Sequence, residues 1–115
     1  MERLDYNTVL NTAIDISKKA GKKIMEIYNN VDFDISFKDD NSPLTEADKA
    51  SNAVIEKELK KLTPSIPILS EEGKDIKFGT RQKWNLFWLI DPLDGTKEFI
   101  NQTGEFTVNI AMISN

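Results

Sequence analysis

Apolar residues recur along the first part of the chain at helical steps: Val9, Ala13, Ile16, Ala20, Ile24 and Ile27. Steps of three and four place them on one face, so the pattern predicts a long amphipathic helix from about Asp5 to Tyr28. The period then changes. Val31, Phe33, Ile35 and Phe37 alternate with Asp32, Asp34, Ser36 and Lys38, which predicts a strand with one wet face. Asp39-Asp40-Asn41-Ser42-Pro43 reads as a loop. A second helix is predicted to open with Thr45 as N-cap and Asp48 at the third helical position. Its apolar positions run through Ala47, Ala50 or Ser51, Val54, Leu59 and Leu62, and Lys60, Lys61 and Pro64 close it. Ile66 to Ser70 reads as a short buried strand, with Pro67 at its start or on an edge. It leads into Glu71 and Glu72, and a charged loop follows as far as Gln82.

The strongest signal begins at Trp84. Trp84, Leu86, Trp88 and Ile90 share one parity, and Phe87 and Leu89 the other. Both faces are apolar, so a central, fully buried strand is predicted. Pairing should stop near Pro92, which has no N–H to give. Directly after the run come Asp91 and Asp94, on a turn with Gly95, where ligands collect in open sheets. Lys97 to Asn101 predicts a helical turn. Phe106, Val108, Ile110 and Met112 then alternate with Thr107, Asn109, Ala111 and Ile113, which predicts a further strand.

Composition narrows the chemistry. The chain of 115 residues has the size of one domain and carries a net charge of −4. That charge argues against binding nucleic acid or an anionic membrane by bulk electrostatics. No stretch is apolar enough to span a membrane, and no signal-peptide pattern opens the chain, so a cytoplasmic protein is expected. There is no cysteine and no histidine. Zinc, copper and haem sites normally need one of these, and a Ser-His-Asp triad needs histidine. Two acids at the end of a buried strand repel each other unless a cation neutralises them, and oxygen ligands alone suit magnesium, calcium or manganese. A bare pair of aspartates spaced this way would fit a turn or helix cap better than a metal site. Neither Gly21-Lys22 nor Gly73-Lys74 has the upstream glycine of a phosphate-binding P-loop.

The whole phrase Asp91-Pro92-Leu93-Asp94-Gly95-Thr96 is more specific, and it resembles the signature of the inositol monophosphatase-like superfamily of metal-dependent, lithium-sensitive phosphatases. Lys97-Glu98-Phe99-Ile100 and Gly104 to Ala111 resemble its 3'(2'),5'-bisphosphate nucleotidase branch; inositol monophosphatases usually carry Thr-Asn where Lys97-Glu98 stands. Asn41 to Asp48 and Leu69-Ser70-Glu71-Glu72 extend the likeness over nearly the whole chain.

The resemblance implies a layered α/β (α+β) fold, with two long helices packed on a mostly antiparallel sheet. It implies hydrolysis of 3'(2')-phosphoadenosine 5'-phosphate with two or three magnesium ions. Glu71, Asp91 and the Leu93 carbonyl would hold one ion, and Asp91 and Asp94 a second. Thr96 would orient the attacking water, Asp48 would accept from Thr96, and the backbone N–H groups of Gly95 and Thr96 would hold the phosphate. Glu72 would stand behind the ligands. Lys38 and Lys97 are weaker candidates for phosphate contact and fit a solvated surface equally well.

Members of the family are much longer. Their second part carries a further metal-binding Asp and most nucleoside contacts, so residues 1–115 are expected to be a first lobe. That lobe would be inactive alone and would pair with itself or with the absent half through its last strand. The partner implied is a small phosphorylated nucleotide, with no nucleic acid; a peripheral place at the inner face of the cell membrane is a further implication of the resemblance. An inositol or sugar phosphatase, or a non-catalytic metal-binding lobe, stays open as an alternative.

Overall fold

A computed structural model describes residues 5–30, 43–70 and 83–114. The expected strand Val31 to Phe37, Lys38, and the pair Glu71 and Glu72 lie outside these residues.

Helix α1 spans Tyr6–Asn30. Asp5 caps it: its carboxylate accepts from the Asn7 backbone N–H at 3.1 Å and from the Thr8 hydroxyl at 2.8 Å. The Thr8 hydroxyl, and then backbone N–H groups of Thr8 and Asn7, hold that carboxyl below the usual aspartate range. Val9, Ala13, Ile16, Ala20 and Ile24 are its buried stripe, as the spacing predicts. Helix α2 spans Pro43–Leu62. It starts before Thr45, so Thr45 lies inside the first turn and is not the N-cap. Proline at the opening position explains the earlier start, since its fixed φ suits a first turn whose N–H groups have no helical partner. Ala47, Ser51, Ile55 and Leu59 form its buried face at steps of four.

Both helices lie on one side of a three-stranded sheet ordered β1-β2-β3, with β1 at Ile68–Ser70, β2 at Leu86–Asp94 and β3 at Thr107–Ser114. A short helix, α3, occupies Thr96–Ile100 between β2 and β3. β2 pairs in parallel with the short β1 and antiparallel with β3 over most of its length, so the antiparallel pairing predominates. Pro67 stands just before β1, on an edge of the described sheet, and its carbonyl accepts from Trp88 N–H at 2.9 Å.

Two expectations for β2 are corrected. It begins at Leu86, not Trp84, and only one of its faces is buried. Trp88 and Ile90 are buried against Ile16, Ile55 and Leu59, whereas Leu89 on the other face is 41% exposed. Pairing also does not stop at Pro92. It continues to Asp94, which faces Thr107, after a register shift between Asp91 and Asp94.

The core has two parts. The larger joins α1, α2 and the covered sheet face. Within it the Trp88 indole N–H donates to Thr63 Oγ1 at 2.9 Å, and that hydroxyl donates to the Leu59 carbonyl at 3.0 Å, so the polar atoms that enter the core are satisfied. The smaller gathers Ile24, Ala47, Leu93 and Phe99, with Tyr28 and Phe106 against them. Tyr28, Phe99 and Phe106 form a triangle of rings with centroids 5.1–5.4 Å apart. That triangle ties α3 to the end of α1 and the approach to β3, directly beneath the turn that carries the acids.

Candidate functional site

An unbroken strand would send Asp91 and Asp94 to opposite faces, because side chains alternate. The register shift prevents this. Asp91 faces Asn109 and Asp94 faces Thr107, while Pro92 and Leu93 between them have no partner on β3. Pro92 and Leu93 are both buried; Asp91 is half-buried and Asp94 exposed. The irregularity acts as a β-bulge, re-aiming side chains so that both acids share the face turned away from the helices.

The bulge is anchored from below. Leu93 enters the smaller core. Ser51, fully buried on α2, donates its hydroxyl to the Pro92 carbonyl at 2.7 Å. This turns the Pro92 carbonyl inward and satisfies it, which a buried carbonyl requires. The end of β1, just before Glu71, is tied to the same helix. The Ser70 hydroxyl donates to Asn52 Oδ1 at 2.5 Å, and Asn52 Nδ2 donates to Glu56 Oε2 at 2.6 Å.

Gly95 makes the turn out of β2. Its φ of +102° lies in the left-handed region. A Cβ there would meet the Glu105 carbonyl oxygen at 2.9 Å and Phe106 Cα at 3.1 Å, so both conformation and space require glycine. Thr96 follows as the first residue of α3, exposed at its N-terminal end, and the Phe99 N–H closes the turn onto the Gly95 carbonyl at 2.9 Å. Asp48 is 8% exposed on α2, next to Ala47, which packs with Phe99 of α3. Asp48 is thus buried on α2 one residue after the position that meets α3.

Of the site residues named from sequence, Asp91, Leu93, Asp94, Gly95 and Thr96 thus lie on one continuous bulge and turn, with Asp48 on the supporting helix. Glu71 lies outside the described residues, one position beyond β1. Lys97 is exposed on α3. Among the described residues no group of three or more His, Cys, Asp or Glu side chains comes together. The donor set offered there, two aspartates on one face beside a bulged backbone, is all oxygen and fits a hard divalent cation. Two participants were missed from sequence. Ser51 carries a faint signal, as a hydroxyl on an otherwise apolar helix face. Asn109 carries none, because its role depends on the register between β2 and β3.

The sequence profile of the inositol monophosphatase family matches residues 5–115. A curated relative, the 3'(2'),5'-bisphosphate nucleotidase CysQ of Buchnera aphidicola, is 45% identical over 109 residues, which cover 94% of this chain and 41% of that protein. The crystal structure of CysQ from Bacteroides thetaiotaomicron, a bacterial member of the inositol monophosphatase family, superposes with a TM-score of 0.86 at 46% identity, covering 98% of this chain and 40% of that one. An inositol monophosphatase from Anabaena superposes with a TM-score of 0.74 at 28% identity, covering 96% and 37%. The chain spans about two fifths of the length of the relatives it matches.

Proposed function

The chain belongs to the inositol monophosphatase family, and on that premise we propose that it forms the metal-binding lobe of a magnesium-dependent phosphatase. The reaction is hydrolysis of 3'(2')-phosphoadenosine 5'-phosphate to AMP and phosphate. The observation that carries this reading is the bulge, which sets Asp91 and Asp94 on one face immediately before the Gly95-Thr96 turn. The bisphosphate nucleotide is favoured over an inositol phosphate because the Buchnera relative bearing the nucleotidase name matches at 45%, against 28% for the Anabaena inositol monophosphatase.

Glu71, Asp91 and the Leu93 carbonyl would hold one magnesium ion, and Asp91 and Asp94 a second. Bound magnesium supplies Lewis-acid polarisation of phosphate oxygens and an acidified water. The chain's own groups do the positioning. The Thr96 hydroxyl would orient the water for in-line attack, and Asp48, largely buried, would accept from that hydroxyl and fix its lone pairs. Backbone N–H groups of Gly95 and Thr96 bind the phosphate oxygens, which favour such donors at a turn. The Ser51 bond keeps the bulge from relaxing, so the two carboxylates stay aligned.

The test is a chimaera joining residues 1–115 to the remainder of the Bacteroides protein, assayed for phosphate release. It should hydrolyse 3'-phosphoadenosine 5'-phosphate in preference to inositol 1-phosphate, and Thr96→Ala should lower kcat far more than it raises KM. Residues 1–115 alone should not turn over. Preference for the inositol ester, or a Thr96→Ala variant with unchanged kcat, would overturn the reading.

A further inference from the structure

Thr107 and Asn109 stand on the same sheet face as the two acids, because Asp94 is the cross-strand partner of Thr107 and Asp91 that of Asn109. The four side chains make a small polar quadrilateral at the end of an otherwise apolar face. Across its diagonal, Asn109 Nδ2 donates to Asp94 Oδ2 at 3.2 Å. The other end of the amide, Oδ1, accepts from the Thr107 hydroxyl at 3.5 Å. A carboxylate can only accept, so the amide must present its nitrogen to Asp94, and the Thr107 hydroxyl, able to donate or accept, then donates to the amide oxygen.

We propose that Asn109 is a positioning residue for the cation site: it holds Oδ2 of Asp94 and leaves Oδ1 of that carboxylate for the ion. The proposal rests on the metal-binding reading above and adds to it the group that orients a ligand. The choice of side chain matters. A lysine here would pair with Asp94 and compete with a cation. An aspartate would add a third negative charge and could not donate. A neutral amide restrains the carboxylate without cancelling its charge, and so reduces the ordering that binding must otherwise impose. Asn109 is exposed on the surface of β3, so its replacement leaves the core untouched.

The experiment is calorimetric titration of the full 115-residue chain with Mn²⁺ alone, with thermal midpoints measured in the presence and absence of the ion. Asn109→Leu keeps the size and removes the donor. It should weaken Mn²⁺ binding about 10-fold, the lower end of the effect of such supporting groups. The metal-free midpoint should stay where it is, while the rise produced by Mn²⁺ shrinks. Asp94→Asn serves as the control for the site itself. Loss of binding in Asp94→Asn with parental affinity in Asn109→Leu would overturn the proposal and leave the site reading standing. A lowered metal-free midpoint in Asn109→Leu with unchanged affinity would overturn it too, since the residue would then be merely structural. A parent chain that binds no Mn²⁺ would overturn both.

Discussion

The two faces of β2 are made of the same kinds of residue and meet opposite fates. Trp88 and Ile90 are buried beneath α1 and α2, while Leu89, between them, is exposed. Its cross-strand partner Ala111 is exposed as well, and Phe87 and Ile113 form the next pair on that face. Side-chain chemistry does not separate the faces; what packs against them does. On the open face the apolar pairs give way to Asp91, Asp94, Thr107 and Asn109, so the polar cluster sits at the end of an apolar surface. A carboxylate pair in that place has low-dielectric neighbours on one side, which strengthens its attraction for a cation.

The largest expected effect comes from breaking the covered face. Trp88→Ala removes a buried indole and leaves Thr63 without its donor, and should cost about 3–5 kcal/mol by urea denaturation. Leu89→Ala, one residue away, should change stability by no more than about 0.5 kcal/mol, as exposed positions do. Equal losses would mean that the open face is covered in solution. Next in size is Ser51→Ala, which strands the Pro92 carbonyl in the core at a cost of about 1–3 kcal/mol. It should also weaken Mn²⁺ binding, linking the covered face to the acids on the open one; unchanged affinity would show that the bulge holds its shape unaided.

Asp91→Asn acts on the open face alone. It should abolish the Mn²⁺-induced rise in thermal midpoint, and a variant binding as tightly as the parent would remove Asp91 from the site. The smallest effect is at the far end of α1. The Asp5 carboxyl is held below its ordinary range by the Thr8 hydroxyl, so its ionised form is favoured in the folded chain. Its contribution is therefore complete above the ordinary aspartate range and fades as the pH falls through the lowered value. Asp5→Ala should flatten the acid limb of the stability profile slightly and leave neutral Mn²⁺ binding unaltered.

Much of the fold was legible in the sequence because it is written in period. The stripe from Val9 to Ile24 and the alternation from Val108 to Met112 each find their core, and the helical turn after Gly95 forms where it was expected. The errors have local causes. Thr45 looked like a cap, but Pro43 begins the helix sooner. Pro92 looked like a terminator, yet β2 bulges around it and resumes pairing at Asp94. The apolar residues on both parities of β2 promised burial on both faces, but periodicity reports what could be buried, not what covers it. The candidate site was legible as a motif, from Asp91 to Thr96. Its supports were not, because Ser51 lies forty-one residues from Pro92 and Asn109 fifteen from Asp94, and only the tertiary fold brings them together.

The bond between Trp88 and Thr63 also gives the molecule an optical reporter. The chain has two tryptophans, Trp88 buried and hydrogen-bonded on β2 and Trp84 half-buried, its ring 5.7 Å from that of Phe87. Their indoles should differ in emission wavelength and in access to a quencher such as iodide, Trp84 losing intensity first. Trp88 lies on the strand that ends in the acids, three residues from Asp91. Its shielded fluorescence therefore reports whether the floor beneath the site is intact, while Trp84 reports on the segment that leads into the opposite end of β2.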